Sequence, residues 1–305
     1  MRIFDKFKEK DRIEKTLPGV DRALFEKMFE ELKLKTKIPS ISLTAVRTKD
    51  IPVTSSKLGG SPYLPKDFEY PRNSDGLPLK LLAQLNFTEL PKLEHFPKEG
   101  ILQFYILYDD MMGLEDDLTQ QNNFRVIFHK EILSPDMLRT DFPESDLIQG
   151  DNDSYPFDCF PFGEEFILTG EITNQVMTSM DYRHRTLFEE LCKKDPSLEK
   201  FTHDDELTEK IYDMFLNEEF DFDIVVDQEV HLINGYPNFS QYDPRGYDME
   251  KKYDTLLFQL VSQPSKELHK WDVLWGDAGV GNFFINVEDL KKCNFDDVLY
   301  TWDCS

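Results

Sequence analysis

The sequence predicts a strand-dominated α+β fold with an internally duplicated, two-lobe architecture, an N-terminal helix and a helical insert between the repeats. The first observation is that segment 81–85 (LLAQL) returns 175 positions later as 256–260 (LLFQL). The second is that segment 100–106 returns at 279–285, at an offset of 179. The third is that the strand-like runs do not alternate regularly with helical ones, which favours α+β over α/β.

Residues 1–39 form a charged lead followed by an amphipathic helix. The lead ends at Pro18-Gly19. From there apolar residues recur at helical spacing, which predicts one buried stripe: Val20, Leu24, Phe25, Met28, Phe29 and Leu32.

Residues 40–175 form the first β-rich repeat. Short apolar runs predict its strands at 41–46, 79–87, 101–108, 124–128 and 166–169. The segment 58–78 is rich in Gly and Pro and predicts a loop.

A helical insert is predicted at 176–228, and the second β-rich repeat at 229–305. Tyr182 to Leu191 has helical periodicity and stops before Pro196, and Thr202 is a plausible cap for a second helix. Extended runs are predicted at 221–226, 229–233, 256–262, 283–285 and 298–302, and a short helix at 289–291. We expect the four segments to pack as a single domain.

Acidic residues outnumber basic ones, 59 to 35, giving a formal net charge of −24. Such a surface repels phosphate backbones and anionic membranes, so we expect neither a nucleic-acid nor a membrane partner. The charge is explained by solubility alone, or by a surface for a basic protein or for cations.

The chain shows no pattern typical of a metal site or a disulfide framework. The four cysteines are far apart and the six histidines form no HxH, HxxxH or HExxH motif. Acidic clusters, such as Asp109-Asp110 and the pair Asp151 and Asp153, lack the spacing of a calcium loop, although a weak cation site there remains an alternative. We therefore expect no bound metal and no cofactor. Without an apolar leader or a membrane-length apolar run, a cytoplasmic location is expected.

Gln84 and Gln259 are the polar residues that stand out, because each lies inside an apolar run at the same position of its repeat. A buried amide needs defined hydrogen-bond partners. In one interpretation both amides bond the backbone of the adjacent Gly/Pro-rich loop. In the other they face one another across a groove between the repeats and bind a ligand.

Nearby loop residues complete the candidate ligand site: Gly60, Pro62, Tyr63, Trp275 and Asp277. Gly59-Gly60-Ser61-Pro62 is interpreted as a turn, since no Lys-Ser/Thr pair follows it and Pro62 removes a backbone donor. Trp275 lies near a Gly-rich segment, where it either lines a pocket or packs in a core.

Several of these blocks together resemble one protein family. Leu58-Gly59-Gly60-Ser61-Pro62, Tyr70-Pro71, 82–85, 100–105, and the tail from Trp275 to Cys304 are similar to the YwqG-like family, a bacterial domain family of unknown function. The resemblance covers nearly the whole chain from about Ser40, with Tyr70-Pro71 standing where the family commonly has Trp-Pro. It implies an architecture and a cytosolic location, but no catalytic residues, cofactor or substrate.

Two functions are expected from these features. The first is a non-catalytic binding module that recognises a basic protein, neutralisation of that partner being one form of this function. The alternative is a small-molecule-binding protein or a hydrolase, with its site in the groove between the repeats.

Overall fold

The computed structural model describes residues 22–142, 160–178, 180–194, 196, 230–246, 249, 252–266 and 270–305. The chain divides into two compact units. One comprises Met1–Ile38 and Asn174–Gln228, and the other Pro39–Thr173 and Glu229–Ser305.

The smaller unit contains two described helices, α1 (Arg22–Thr36) and α2 (Arg183–Lys194). Both lie where the apolar periodicity predicts a helix. Within this unit the Met177 amide donates to Thr36 Oγ1 at 3.1 Å. The second helix predicted in the insert and the strand predicted at 221–226 lie outside the described residues.

The larger unit is built on a ten-stranded sheet. Its strands are, in chain order, β1 (Ile38–Arg47), β2 (Lys57–Leu58), β3 (Lys80–Asn86), β4 (Ile101–Ile106), β5 (Phe124–His129), β6 (Phe166–Gln175), β7 (His231–Ile233), β8 (Thr255–Val261), β11 (Val280–Ile285) and β12 (Val298–Asp303). A separate hairpin pairs β9 (Gln263–Pro264) with β10 (Trp271–Val273), and a short helix, α3 (Val287–Lys291), follows β11. The predominance of strands is thereby confirmed.

The sheet order is β12-β11-β8-β7-β1-β6-β2-β3-β4-β5. Each end of the sheet is an antiparallel meander, β3-β4-β5 at one end and β8-β11-β12 at the other. β1, from the segment 40–175, lies beside β7, from the segment 229–305.

The two meanders have the same register. In the first, Gln84 is opposite Gln103, and the pairing slips between Leu81 and Ala83. In the second, Gln259 is opposite Asn282, and the slip lies between the pairs of Phe258 and Leu256. Each glutamine is therefore two residues beyond the irregularity in its strand.

Aromatic side chains fill the space between the meanders. The ring of Phe104 on β4 lies 5.0 Å from that of Phe258 on β8 and 4.8 Å from that of Phe283 on β11. Phe283 in turn stacks on Tyr300 of β12 at 4.6 Å. All four residues are buried in one core cluster, and burial of each such ring contributes roughly 2–3 kcal/mol. The inner faces of the two meanders therefore pack against each other.

No helix within the described residues is long and apolar enough to cross a bilayer.

Candidate functional site

The amide of Gln84 holds the Gly/Pro-rich loop against the outer face of the first meander. Its Oε1 accepts from the Tyr63 amide at 2.8 Å, and its Nε2 donates to the carbonyls of Val53 and Ser55, both at 2.8 Å. Gln84 is fully buried. One side chain thus makes three hydrogen bonds to the backbone, one in the loop and two in the segment that precedes it.

Gln103, opposite Gln84, completes this arrangement, which we call the first clamp (Gln84, Gln103 and the loop residue Tyr63). Gln103 Nε2 donates to the Tyr63 carbonyl at 2.6 Å and to Gln84 Oε1 at 2.8 Å. Its Oε1 bonds His129 Nε2 at 3.0 Å and accepts from the Tyr105 hydroxyl at 3.1 Å. Burial lowers the pKa of His129 to about 4, so the ring is neutral at pH 7.

The second meander carries a corresponding second clamp (Gln259, Asn282 and the loop residue Asn238). Gln259 Oε1 accepts from the Asn238 amide at 2.7 Å, and Asn282 Nδ2 donates to the Asn238 carbonyl at 2.9 Å. Gln259 Nε2 donates to the Val230 carbonyl at 3.0 Å.

The loops held by the clamps share a backbone conformation. Gly59 and Gly60 have φ of 65° and 70°, and Asn234 and Gly235 have φ of 61° and 99°. Positive φ explains the glycines, because side chains with a Cβ are strained there.

The two predicted glutamines therefore bond their own loops, as the first of the two interpretations states. No hydrogen bond joins Gln84 to Gln259, both of which the structure describes. Ligand binding by these amides stays a prediction.

The remaining predicted site residues lie in four different environments. Pro62 and Tyr63 are buried residues of the loop itself, and Trp275 is fully buried in the core cluster. Asp277 is exposed in a turn of the other meander. Gly60, by contrast, lines a cleft.

This cleft has a volume of about 240 Å³ and lies entirely in the larger unit. It is lined by Gly59, Gly60, Ser61, Tyr70, Lys80, Leu81, Phe162, Gly163, Glu164 and Glu165. A Cβ added at Gly60 would lie 2.6 Å from the carboxyl carbon of Glu165, which can move aside, so the positive φ of 70° is the stronger reason for glycine here. The cleft thus combines the loop, the start of β3 and the segment before β6.

Lys80 is the notable charged group of the cleft. Its Nζ lies 4.5 Å from the centre of the Phe160 ring and 5.0 Å from that of Tyr108. Burial lowers its pKa to about 8. Among the described residues no carboxylate forms an ion pair with Lys80, and the side chain is only partly buried.

Other charged side chains at or near the cleft have partners of opposite charge. Glu164 pairs with Arg47, with Glu164 Oε2 at 3.1 Å from Arg47 Nε. Lys57 is buried, donates to the Ser61 carbonyl at 2.6 Å and is attracted by Glu165 and Glu89. Burial lowers the pKa of Lys57 to about 8, against the opposing effect of those two carboxylates.

The sequence alone does not single out Lys80, because a lysine at the start of a strand is ordinarily exposed to solvent. Its environment depends on Phe160, which is 80 positions away in the chain. The one available signal was its place directly before the repeated apolar run, where the second copy has Thr255.

No group of three or more His, Cys, Asp and Glu side chains is placed to hold a metal within the part of the chain that the structure describes. Asp109 of the first acidic cluster bonds the Gly113 amide through its Oδ1 at 2.8 Å. Asp151 and Asp153 lie outside the described residues.

A family model described as a domain of unknown function (DUF1963) matches residues 56–304. The chain belongs to this family. The match confirms the resemblance to a YwqG-like domain of unknown function, and it spans both clamps and the cleft of this DUF1963 domain. No curated protein matches the sequence.

Proposed function

We propose that this DUF1963 protein is a small-molecule-binding module whose site is the cleft beside Gly60 and Lys80. The ligand is a compact polar molecule that presents an acceptor oxygen, of a carbonyl or a carboxylate, to the Lys80 amine. The observation that carries this proposal is Lys80 itself, a partly buried amine in a cleft, without a carboxylate partner among the described residues.

The free-energy cost of burying the Lys80 amine supports a binding role for this lysine. An amine removed from water without a counter-charge is destabilising, and such groups concentrate at functional sites. The ordinary arrangement is that of Lys57, whose amine is satisfied by the Ser61 carbonyl and two nearby carboxylates. A ligand oxygen would give the Lys80 amine a hydrogen-bond acceptor, which none of the described residues supplies.

The shape of the cleft supports a small ligand. A volume of about 240 Å³ lies below the range usual for drug-sized ligands, roughly 300–1,000 Å³. Phe162 and Tyr70 supply apolar wall, and Gly59 and Gly60 let the backbone approach closely. This site differs in place from the groove expected between the repeats, where the meanders pack through aromatic rings.

We also infer that the two meanders descend from one duplicated unit, with the segment containing α2 inserted between the copies. The shared register, the strand irregularity at the same position and the two matching clamps support this inference. In this account the clamp is the inherited framework, and the cleft was added to one copy.

The proposal is tested by saturation-transfer NMR with acetate, pyruvate and glyoxylate as separate probes. We expect at least one probe to give signals with the wild-type protein and with Lys130→Met, a control at an exposed lysine. The same signals should be lost with Lys80→Met, whose folding is checked by its thermal unfolding curve. Equal signals from Lys80→Met, or no signal with any probe, would overturn the proposal.

A second candidate, binding of a basic protein in the cytoplasm, is favoured by the net charge of −24. Exposed carboxylates cluster on the 109–117 loop, where Asp110 and Glu115 help burial to raise the pKa of Asp109. Neutralising Asp110, Asp116 and Asp117 together should weaken association with a polylysine probe at low salt. Unchanged association would remove this surface from consideration.

A further inference from the structure

We propose that the Lys80 amine is a nucleophile that forms a reversible imine with a small aldehyde or ketone held in the cleft. This inference rests on the proposed small-molecule site and names the class of ligand that the site takes. It adds a covalent step to what would otherwise be simple binding.

The geometry places Lys80 in the wall of the cleft, with its amine over two aromatic rings beside that cleft. Lys80 lines the cleft, and its Nζ faces two aromatic rings instead of a carboxylate. Stacking of Tyr108 on Phe160, with ring centres 6.2 Å apart, fixes this apolar surface. Hydrogen bonds and ion pairs among the described residues do not occupy the nitrogen.

The protonation state suits nucleophilic attack. Burial lowers the pKa of Lys80 to about 8, so roughly a tenth of the amine is neutral at pH 7. An ordinary lysine, with a pKa near 10.4, is neutral in fewer than about one molecule in a thousand. Desolvation in an apolar pocket is an established way to activate a lysine toward carbonyl compounds.

The step balances without any oxidant or reductant. The nitrogen lone pair attacks the carbonyl carbon, the carbonyl π bond breaks, and a proton moves from nitrogen to oxygen to give a carbinolamine. Loss of that hydroxyl with a second nitrogen proton releases one water and forms the C=N bond.

Lys57 provides an internal control. Burial lowers its pKa to about 8 as well, but it is fully buried and its amine donates to the Ser61 carbonyl. Reactivity governed by pKa alone would label both lysines. Reactivity governed by the cleft labels Lys80 and spares Lys57.

The test incubates the folded protein with glyoxylate and cyanoborohydride at pH 7, then maps modified lysines by peptide mass spectrometry. The reductant delivers hydride to the imine carbon and fixes it as an N-carboxymethyl adduct. We expect Lys80 to be modified at least about tenfold faster than exposed Lys130, because more of its amine is neutral. Lys57 should be spared. Modification spread evenly over exposed lysines, or absent from Lys80, would overturn the inference.

A binding measurement made beside the labelling experiment distinguishes failure of the imine inference from failure of the proposed small-molecule site. If glyoxylate gives saturation-transfer signals that Lys80→Met removes, yet no adduct forms at Lys80, the site stands and the imine is refuted. If neither signals nor adduct appear, both fail. Lys80→Arg, which keeps the positive charge, should retain binding of acetate but form no adduct.

Discussion

The two clamps hold their loops in the same way, but the surfaces beside them differ. At corresponding positions the first meander has Tyr70 and Lys80, and the second has Arg245 and Thr255. Arg245 is fully buried, lies 4.1 Å over the ring of Phe284 and pairs with Asp243, with Arg245 Nη2 at 2.7 Å from Asp243 Oδ2. Lys80 has no such carboxylate among the described residues.

The contrast separates a charged group that is structural from one that is available to a ligand. A buried cation that is paired and hydrogen-bonded needs no ligand, since its charge is compensated within the protein. Lys80 is partly buried, its amine lies over two aromatic rings and it forms no ion pair with the described residues, so an acceptor in the cleft can add to the compensation of its charge. We call the Arg245 site of the second meander closed and the Lys80 site of the first open; the two sites are not at corresponding positions, since Arg245 corresponds to Tyr70.

The largest expected effect is at the closed site. Asp243→Asn removes the carboxylate that pairs with buried Arg245, and we expect a loss of about 3–5 kcal/mol in the free energy of unfolding. The control is Glu288→Gln, which breaks an exposed pair with Lys291 and should cost far less. Urea unfolding measures both variants. Equal, small losses would show that the buried pair does not hold this surface together.

The next effect compares the clamps directly. Gln84→Leu strands the Tyr63 amide and the carbonyls of Val53 and Ser55, whereas Gln259→Leu strands only the Asn238 amide and the Val230 carbonyl. We expect losses of about 2–4 and 1–3 kcal/mol respectively, from unsatisfied buried groups. A larger loss for Gln259→Leu in urea unfolding would contradict the account.

Acid should weaken the first clamp more than the second. His129 bonds Gln103 in the first, and Asp303 stands at the corresponding place in the second. The pKa of His129 is about 4 in the folded protein and about 6.5 in the unfolded chain, so between these values the unfolded chain binds more protons. The stability due to neutral His129 is therefore lost as pH falls through this window, by about 2 kcal/mol from pH 7 to pH 5.

The matched variant is His129→Gln, whose amide can still donate to Gln103. Urea unfolding at pH 7 and pH 5 should show a smaller pH dependence in this variant than in the wild type. The protein's other titrating groups are common to both and cancel in the difference. An identical pH dependence would exclude His129 as a source of acid sensitivity.

The smallest expected effect is a gain in the free energy of unfolding, where the preceding variants lose stability. Lys80→Met removes a desolvated charge and keeps an apolar chain of similar length, so we expect a gain of about 1–2 kcal/mol in stability at pH 7. A residue kept at a cost to stability is typical of a binding site. A clear loss of stability would instead assign Lys80 a structural role.

The fold was predictable from the sequence to the extent that local patterns decide it. Repeated apolar runs located the meanders, and their repeated glutamines located the clamps. Gln103 and Asn282 lie in the second repeated block, but their role depends on register across two strands, which no local pattern specifies. The same holds for Lys80 and for Asp243 with Arg245, because their environments come from distant aromatic residues and from loops without periodicity.

The most direct test of the open and closed meanders is a side-chain NMR titration of the lysines in the folded protein. The account predicts a resonance that titrates near pH 8, disappears in Lys80→Met and shifts when glyoxylate is added. A Lys80 resonance that titrates near pH 10.4, as a solvated lysine does, and ignores glyoxylate would contradict it.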